Sequence, residues 1–203
     1  MKRGKKVPTV EVKRAFVVAQ LVRKHPRRRY LGTVSKKEFE ERLRAAKLKV
    51  LKMSEGQLDR FIGQEHKRRL RSYEATSWHL GEVKISEVGV WRDAGGLPRS
   101  WTNTNLIKTA HKVIQSLQGK LPPLTKRAKY SIENIINTNV RTIQREKYLL
   151  PIIFQGGTGT KGRSWLSHKT KWDIDDGCMR SIALAASGKK TIKAYIGTPI
   201  IDK

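Results

Sequence analysis

Between Lys171 and Ile196 the chain reads KWDIDDGCMRSIALAASGKKTIKAYI, and its hydrophobic period changes twice within that stretch. Trp172 and Ile174 alternate with Asp173 and Asp175, the period of a half-buried strand. Asp176-Gly177 follows, a turn dipeptide in which Gly takes positive φ without steric cost. Met179, Ile182, Ala183 and Ala186 then recur at the spacing of one helical face, Gly188 stands where a left-handed C-cap belongs, and Thr191 to Ile196 return to period two. The spacing predicts a strand, a tight turn, a helix and a second strand. Such a turn collects free backbone N–H groups at a helix N-terminus, where the helix dipole favours an anion, and Arg180 can add a bidentate phosphate contact. Gly177, Cys178, Met179, Arg180 and Ser181 are the residues expected around a phosphate held there.

Asp176-Gly177-Cys178-Met179-Arg180 resembles the D-G-x-H-R signature of the ParB/sulfiredoxin superfamily, and Gly177-x-x-Arg180-x-x-Ala183 resembles its phosphate-binding pattern G-x-x-R-x-x-A. That superfamily sets a strand before the motif and a helix and strand after it, the order already read from the apolar periodicity. The resemblance covers at most residues 80–200. It implies a ParB/sulfiredoxin-like fold, ATP or CTP as the nucleotide with Mg²⁺, and ATP hydrolysis with DNase activity. Asp176 and Arg180 would then serve catalysis, Asp176 holding Mg²⁺ or orienting water with Asp173 and Asp175 nearby. Stand-alone members include fertility-inhibition proteins of the oncogenic-suppression type, so plasmid conjugation and its machinery are implied partners.

Two residues depart from the pattern. Met179 stands where the superfamily commonly has His, which puts acid–base chemistry by that position in doubt. Cys178 stands where sulfiredoxins carry a reactive Cys, and a thiol beside Arg180 at a helix start is expected to have a lowered pKa. A sulfiredoxin-like reductase is therefore one alternative, against the reading of Cys178 as a small residue packed beneath the turn.

Charge bounds the partners: 44 Lys and Arg against 17 Asp and Glu give a formal net of +27. Such an excess repels itself unless a polyanion screens it, and contacts to phosphates release condensed counterions, so DNA is the expected partner. A non-catalytic basic DNA-binding or scaffold protein is the second class of function. A single Cys excludes an internal disulfide and a Cys-rich zinc site, no apolar run reaches the length of a membrane span, and the start MKRGKKVPTVEVKR lacks a secretory core. No membrane insertion and a cytoplasmic location are expected.

Residues 1–72 hold 23 Lys and Arg against 7 Asp and Glu, an excess of +16. A helix is predicted from Thr9 to a stop at His25-Pro26, followed by the cluster Arg27-Arg28-Arg29-Tyr30, a candidate phosphate contact. Ser35-x-x-Glu38 and Ser54-x-x-Gln57 are capping boxes ahead of two further helices. The pair has the gross order of a helix-turn-helix, its second helix carrying Lys67, Arg68, Arg69 and Arg71, but its turn lacks a central Gly and an ordinary helical hairpin packed on a neighbouring domain is the preferred account. The texture changes between Glu74 and Gly81, which divides the chain into a basic helical region, 1–75, and a nucleotide-binding domain, 76–203. On this division, removal of residues 1–72 weakens DNA binding and spares the Asp176 turn.

Short β segments are expected at Val83–Ile85, Val88 and Val90. A helix capped between Thr102 and Asn105 follows, with Leu106, Ile107, Ala110, Val113, Ile114 and Leu117 as its apolar stripe and His111 as a structural residue. Tyr130 to Ile143 reads as a helical face broken near Asn137-Thr138-Asn139, and Leu149 to Phe154 as a buried strand. The Gly-rich stretch from Gly156 to Ser164 does not match the P-loop pattern, because Gly162 follows Lys161. It is a hairpin loop or a basic lid. Lys161, Arg163, Lys169 and Lys171 are candidate nucleic-acid contacts flanking the Asp176 turn, and Trp165 and His168 could approach a ligand there. The fold class expected is α/β or α+β, a small mixed sheet with helices and a basic helical N-terminal extension.

Overall fold

A computed structural model describes residues 4–23, 35–102, 104–134, 136, 143, 145–160 and 170–200. The strands are β1 (Lys6–Val7), β2 (Thr76–Lys84), β3 (Val88–Val90), β4 (Thr104–Asn105), β5 (Ile152–Gln155), β6 (Trp172–Asp176) and β7 (Thr191–Pro199). They form one sheet in the order β1-β2-β7-β5-β6-β3-β4. The β5/β7 and β3/β6 pairs are parallel and the others antiparallel, so the chain is a mixed α/β protein.

Directly opposed residues of an antiparallel pair share a face. Along β2 and β7 one face carries the pairs Trp78↔Gly197, Leu80↔Tyr195, Glu82↔Lys193 and Lys84↔Thr191. Helices α1 (Thr9–Arg23), α2 (Lys36–Leu51) and α3 (Glu55–Glu74) lie on that side. The Trp78 ring stands 5.3 Å from Tyr73 of α3 and 5.0 Å from Phe154, and the Tyr195 hydroxyl donates to Glu11 of α1 at 3.2 Å. Gly197 makes room for this: a Cβ there would come within 2.6 Å of Thr76 and 2.8 Å of Trp78. The opposite face, with Val83, Ile192, Ala194 and Ile196, is buried as well. Helices α4 (Leu106–Leu117) and α5 (Lys126–Asn134), each packed against α6 (Cys178–Ala186), supply the second helical layer with it.

The predicted boundary near residue 75 coincides with the α3–β2 junction, but the residues before it are no appendage. They provide an edge strand and one whole helical layer, and their buried side chains join those of the sheet in a single hydrophobic cluster. Lys13 shows how tightly the layer is tied. Its side chain is 2% exposed, and its Nζ lies 2.6 Å from Asp59, 3.1 Å from Glu55 and 3.4 Å from Glu74. Burial pulls the ammonium down, yet the carboxylates outweigh it and hold Lys13 above its ordinary range. Glu55 and Glu74 are the two ends of α3, which a straight helix of that length would hold about 30 Å apart. Segment α3 therefore bends sharply between them, and it does not have the shape of a rod laid in a DNA groove.

The caps follow the sequence with one difference. Ser54 and Gln57 make a complete capping box, whereas Ser35 accepts from Glu38 N–H without the return bond, because Glu38 pairs with Arg42. Asn105 caps α4 through Lys108 N–H. Gly188, at φ 83°, ends α6 with Gly188 N–H on Ala185 and Lys189 N–H on Leu184, a Schellman motif. The α4 stripe is narrower than predicted, since Ile107, Leu117 and His111 are exposed. The helix expected from Tyr130 starts earlier, at Lys126, and the Asn137–Asn139 break lies outside the described residues.

Candidate functional site

Strand β6 ends at Asp176, and Gly177 turns the chain into α6 with φ 85° and ψ 20°. A Cβ at Gly177 would stand 2.8 Å from Arg180 Nη2 and 3.1 Å from the Pro151 Cα, so both backbone conformation and space require Gly there. The turn is the predicted one. Its side chains, however, are directed at each other.

Arg180 Nη2 donates to Asp176 Oδ2 at 2.8 Å, and Gln20 Nε2 of α1 donates to Asp176 Oδ1 at 3.0 Å. Gln20 in turn accepts from Arg23 through its Oε1. Arg180 is thus paired with Asp176, and each Asp176 oxygen accepts one hydrogen bond while keeping a second lone pair. Among the described residues no group of three or more His, Cys, Asp or Glu is placed to hold a metal ion. Among the described residues, two donors in the same turn have no partner, Arg180 Nε and the hydroxyl of the fully buried Ser181.

The remaining carboxylates of β6 are engaged too. Asp175 accepts from Arg69 Nε at 2.7 Å and from the Tyr73 hydroxyl at 2.9 Å, and the Arg69 and Asp175 side chains are 8% and 2% exposed. Burial pulls Arg69 down, but the adjacent Asp175 charge holds its guanidinium above the ordinary range. Arg69 also covers the Phe16 ring at 4.6 Å. Asp173 accepts from Gly157 N–H and from Thr170 Oγ1, each at 3.0 Å, and burial raises its carboxyl. These two carboxylates lock α3 and a loop onto the sheet.

The Cys178 thiol is half-buried. Burial first, and the neighbouring Asp176 charge second, push it from 9.0 up to about 12, opposite to the lowering expected at a helix start. That direction runs against the reductase alternative. Met179 fills space: a Cβ on Gly95 would fall 1.9 Å from its Sδ, so Gly95 exists to admit it.

The Gly-rich segment leaves β5 as the loop of a β5–β6 hairpin, held by Gly156 N–H on Lys171 O and by Asp173. Register sets Ile152 opposite Asp176 and Gln155 opposite Trp172, so the loop springs from the far end of the hairpin, about 13 Å from the turn. The stem of the segment and the Asp176 turn are thus at opposite ends of the hairpin. Lys171 pairs with Glu87 at 3.6 Å and stands 5.9 Å from the Trp172 ring centroid. Arg27, Arg28, Arg29, Lys161, Arg163, Trp165, His168 and Lys169 lie outside the described residues.

No family model, no curated protein and no solved structure matches the chain. The residues around the turn therefore speak for themselves, and three of the most engaged were missed in the sequence. Gln20 and Lys13 had a signal, each being a polar side chain inside an apolar helical run. Arg69 was hidden among Lys67, Arg68 and Arg71. Its position four residues before Tyr73 places it on the buried face.

Proposed function

We propose that the protein binds DNA through its phosphate backbone, without reading base sequence. The supporting observation is the direction taken by the acidic side chains. Asp175 is spent on Arg69, Asp176 on Arg180 and Gln20, Glu55, Asp59 and Glu74 on Lys13, Glu146 on Lys47, and Glu11 on Tyr195 and Lys147. With these acidic residues engaged, much of the excess of 27 positive charges is left unopposed at the surface. A duplex is the polyanion that turns such a surface into binding energy through counterion release. The strand-turn-helix-strand order around Gly177 agrees with a ParB/sulfiredoxin-like scaffold for this activity. Titration of a fluorescent duplex should show binding at low salt, indifferent to sequence, with log affinity falling steeply against log salt. Absence of binding at low salt would remove the proposal.

A second reading, a nucleotide phosphate at the Gly177 turn, is favoured by the unpartnered Arg180 Nε and Ser181 hydroxyl. A phosphate would take Arg180 from Asp176, leaving Asp176 on Gln20. On this reading ATP or CTP binds with Mg²⁺ and is hydrolysed, with DNA as the second ligand. Arg180→Ala should abolish nucleotide binding and hydrolysis while the variant stays folded. Equal nucleotide affinity in wild type and variant rules this reading out.

A further inference from the structure

The face of β2 and β7 that carries Trp78 and Tyr195 is covered by helices over only part of its length. Cover ends at the Leu80↔Tyr195 pair, where Tyr195 meets Glu11 in the first turn of α1. Beyond it Glu82, Lys84, Thr191 and Lys193 are all exposed on the same face, and Lys5, whose carbonyl accepts from Leu80 N–H, borders it from the edge. Lys189 and Lys190 lead into β7 from the Schellman turn, and Lys190 O is bonded to Ile85 N–H, which fixes the turn against the end of β2. Lys5, Lys84, Lys189, Lys190 and Lys193 take part in no ion pair among the described residues, and Glu82 is the lone acidic side chain of the exposed pairs.

Resting on the DNA-binding reading, we infer that this lysine face is a DNA-docking surface that grips the duplex backbone. Its spacing is set by the sheet rather than by flexible loops. Residues two apart on a strand are separated by about 7 Å and opposed residues by about 5 Å, so the ammonium groups form a fixed array on a scale comparable with neighbouring phosphates. The chemistry is matched to phosphate and to nothing else in DNA. Lysine is a point charge with no planar fork for a base edge, and the exposed pairs of the face include no aromatic on which an unpaired base could stack. A duplex, with its bases inside and its charge outside, is the occupant this surface fits. The exposed basic side chains of α3, Lys67, Arg68 and Arg71, serve as the comparison, since they are equally charged but sit on a bent helix.

The test is the salt dependence of duplex binding by the full chain. Lys5→Gln, Lys84→Gln and Lys193→Gln combined should lower the magnitude of the log affinity against log salt slope by about 2.7, from three phosphate contacts at about 0.9 each. Affinity at low salt should fall at least about tenfold. The substitutions are at exposed positions, and an unchanged thermal unfolding midpoint establishes that the variant is folded. Lys67→Gln, Arg68→Gln and Arg71→Gln combined should change the slope by less. A wild-type slope in the β-face variant, with the wild type binding normally, overturns the assignment of the face while leaving DNA binding in place. No binding by the wild type removes both. A β-face variant that loses affinity for duplex RNA and keeps it for DNA also overturns the assignment.

Discussion

Arg69→Ala is expected to cost about 3–5 kcal/mol of folding stability, the range for removing one partner of a buried ion pair. The loss is large because of what stays behind. Asp175 is 2% exposed and would retain the Tyr73 hydroxyl alone against an uncompensated charge. Arg69 also covers the Phe16 ring, so truncation opens a gap between α1 and α3. Denaturant unfolding of wild type and variant measures the difference directly. Arg69→Met combined with Asp175→Leu should recover most of it, since an apolar pair of similar volume removes the desolvation cost of both charges. A loss below about 1 kcal/mol for Arg69→Ala would mean that water reaches Asp175 and that the pair is no lock.

The strand-turn-helix-strand unit was legible because three local rules agree there. Period two to Ile174, Asp-Gly at the turn and period 3.6 through Ala186 each point to the same elements, and Gly188 closes the helix as its position suggests. Strand β2 was legible only at its end. Its inner face begins with Trp78 and Leu80 and continues with Glu82 and Lys84, so apolar alternation stops where helical cover stops, although the strand runs on. Strands β1 and β4, of two residues each, carry no periodicity to read.

At the site, sequence spacing identified the turn but not the state of its side chains. Asp176, Arg180 and Cys178 have the chemistry of a phosphate or redox centre, and their roles depend on long-range partners that spacing does not contain. Gln20 lies 156 residues from Asp176, and Arg69 106 residues from Asp175. A carboxylate is a metal ligand or a structural acceptor according to which donors arrive there, and here α1 and α3 deliver them first. The motif marks the place where helix and sheet are fastened together.

That fastening determines what happens when residues 1–72 are removed. Composition alone makes the region a detachable basic arm, and on that view the remaining fragment keeps the Asp176 turn. The fold requires the opposite: residues 73–203 alone should fail to fold cooperatively. Deletion strips β1 from the sheet edge and uncovers the Trp78, Phe154 and Tyr195 surface that α1 and α3 bury. It leaves Asp175 without Arg69 and Asp176 without Gln20. Loss of a helical layer from one face of a sheet exposes a hydrophobic area that no single-sided α/β sheet sustains in water. The fragment should be aggregated or should lack a thermal transition, where the full chain unfolds in one. A soluble 73–203 fragment with a cooperative transition would show that the first helical layer is an arm after all, and that the ion pairs at Asp175 and Asp176 join two independent units.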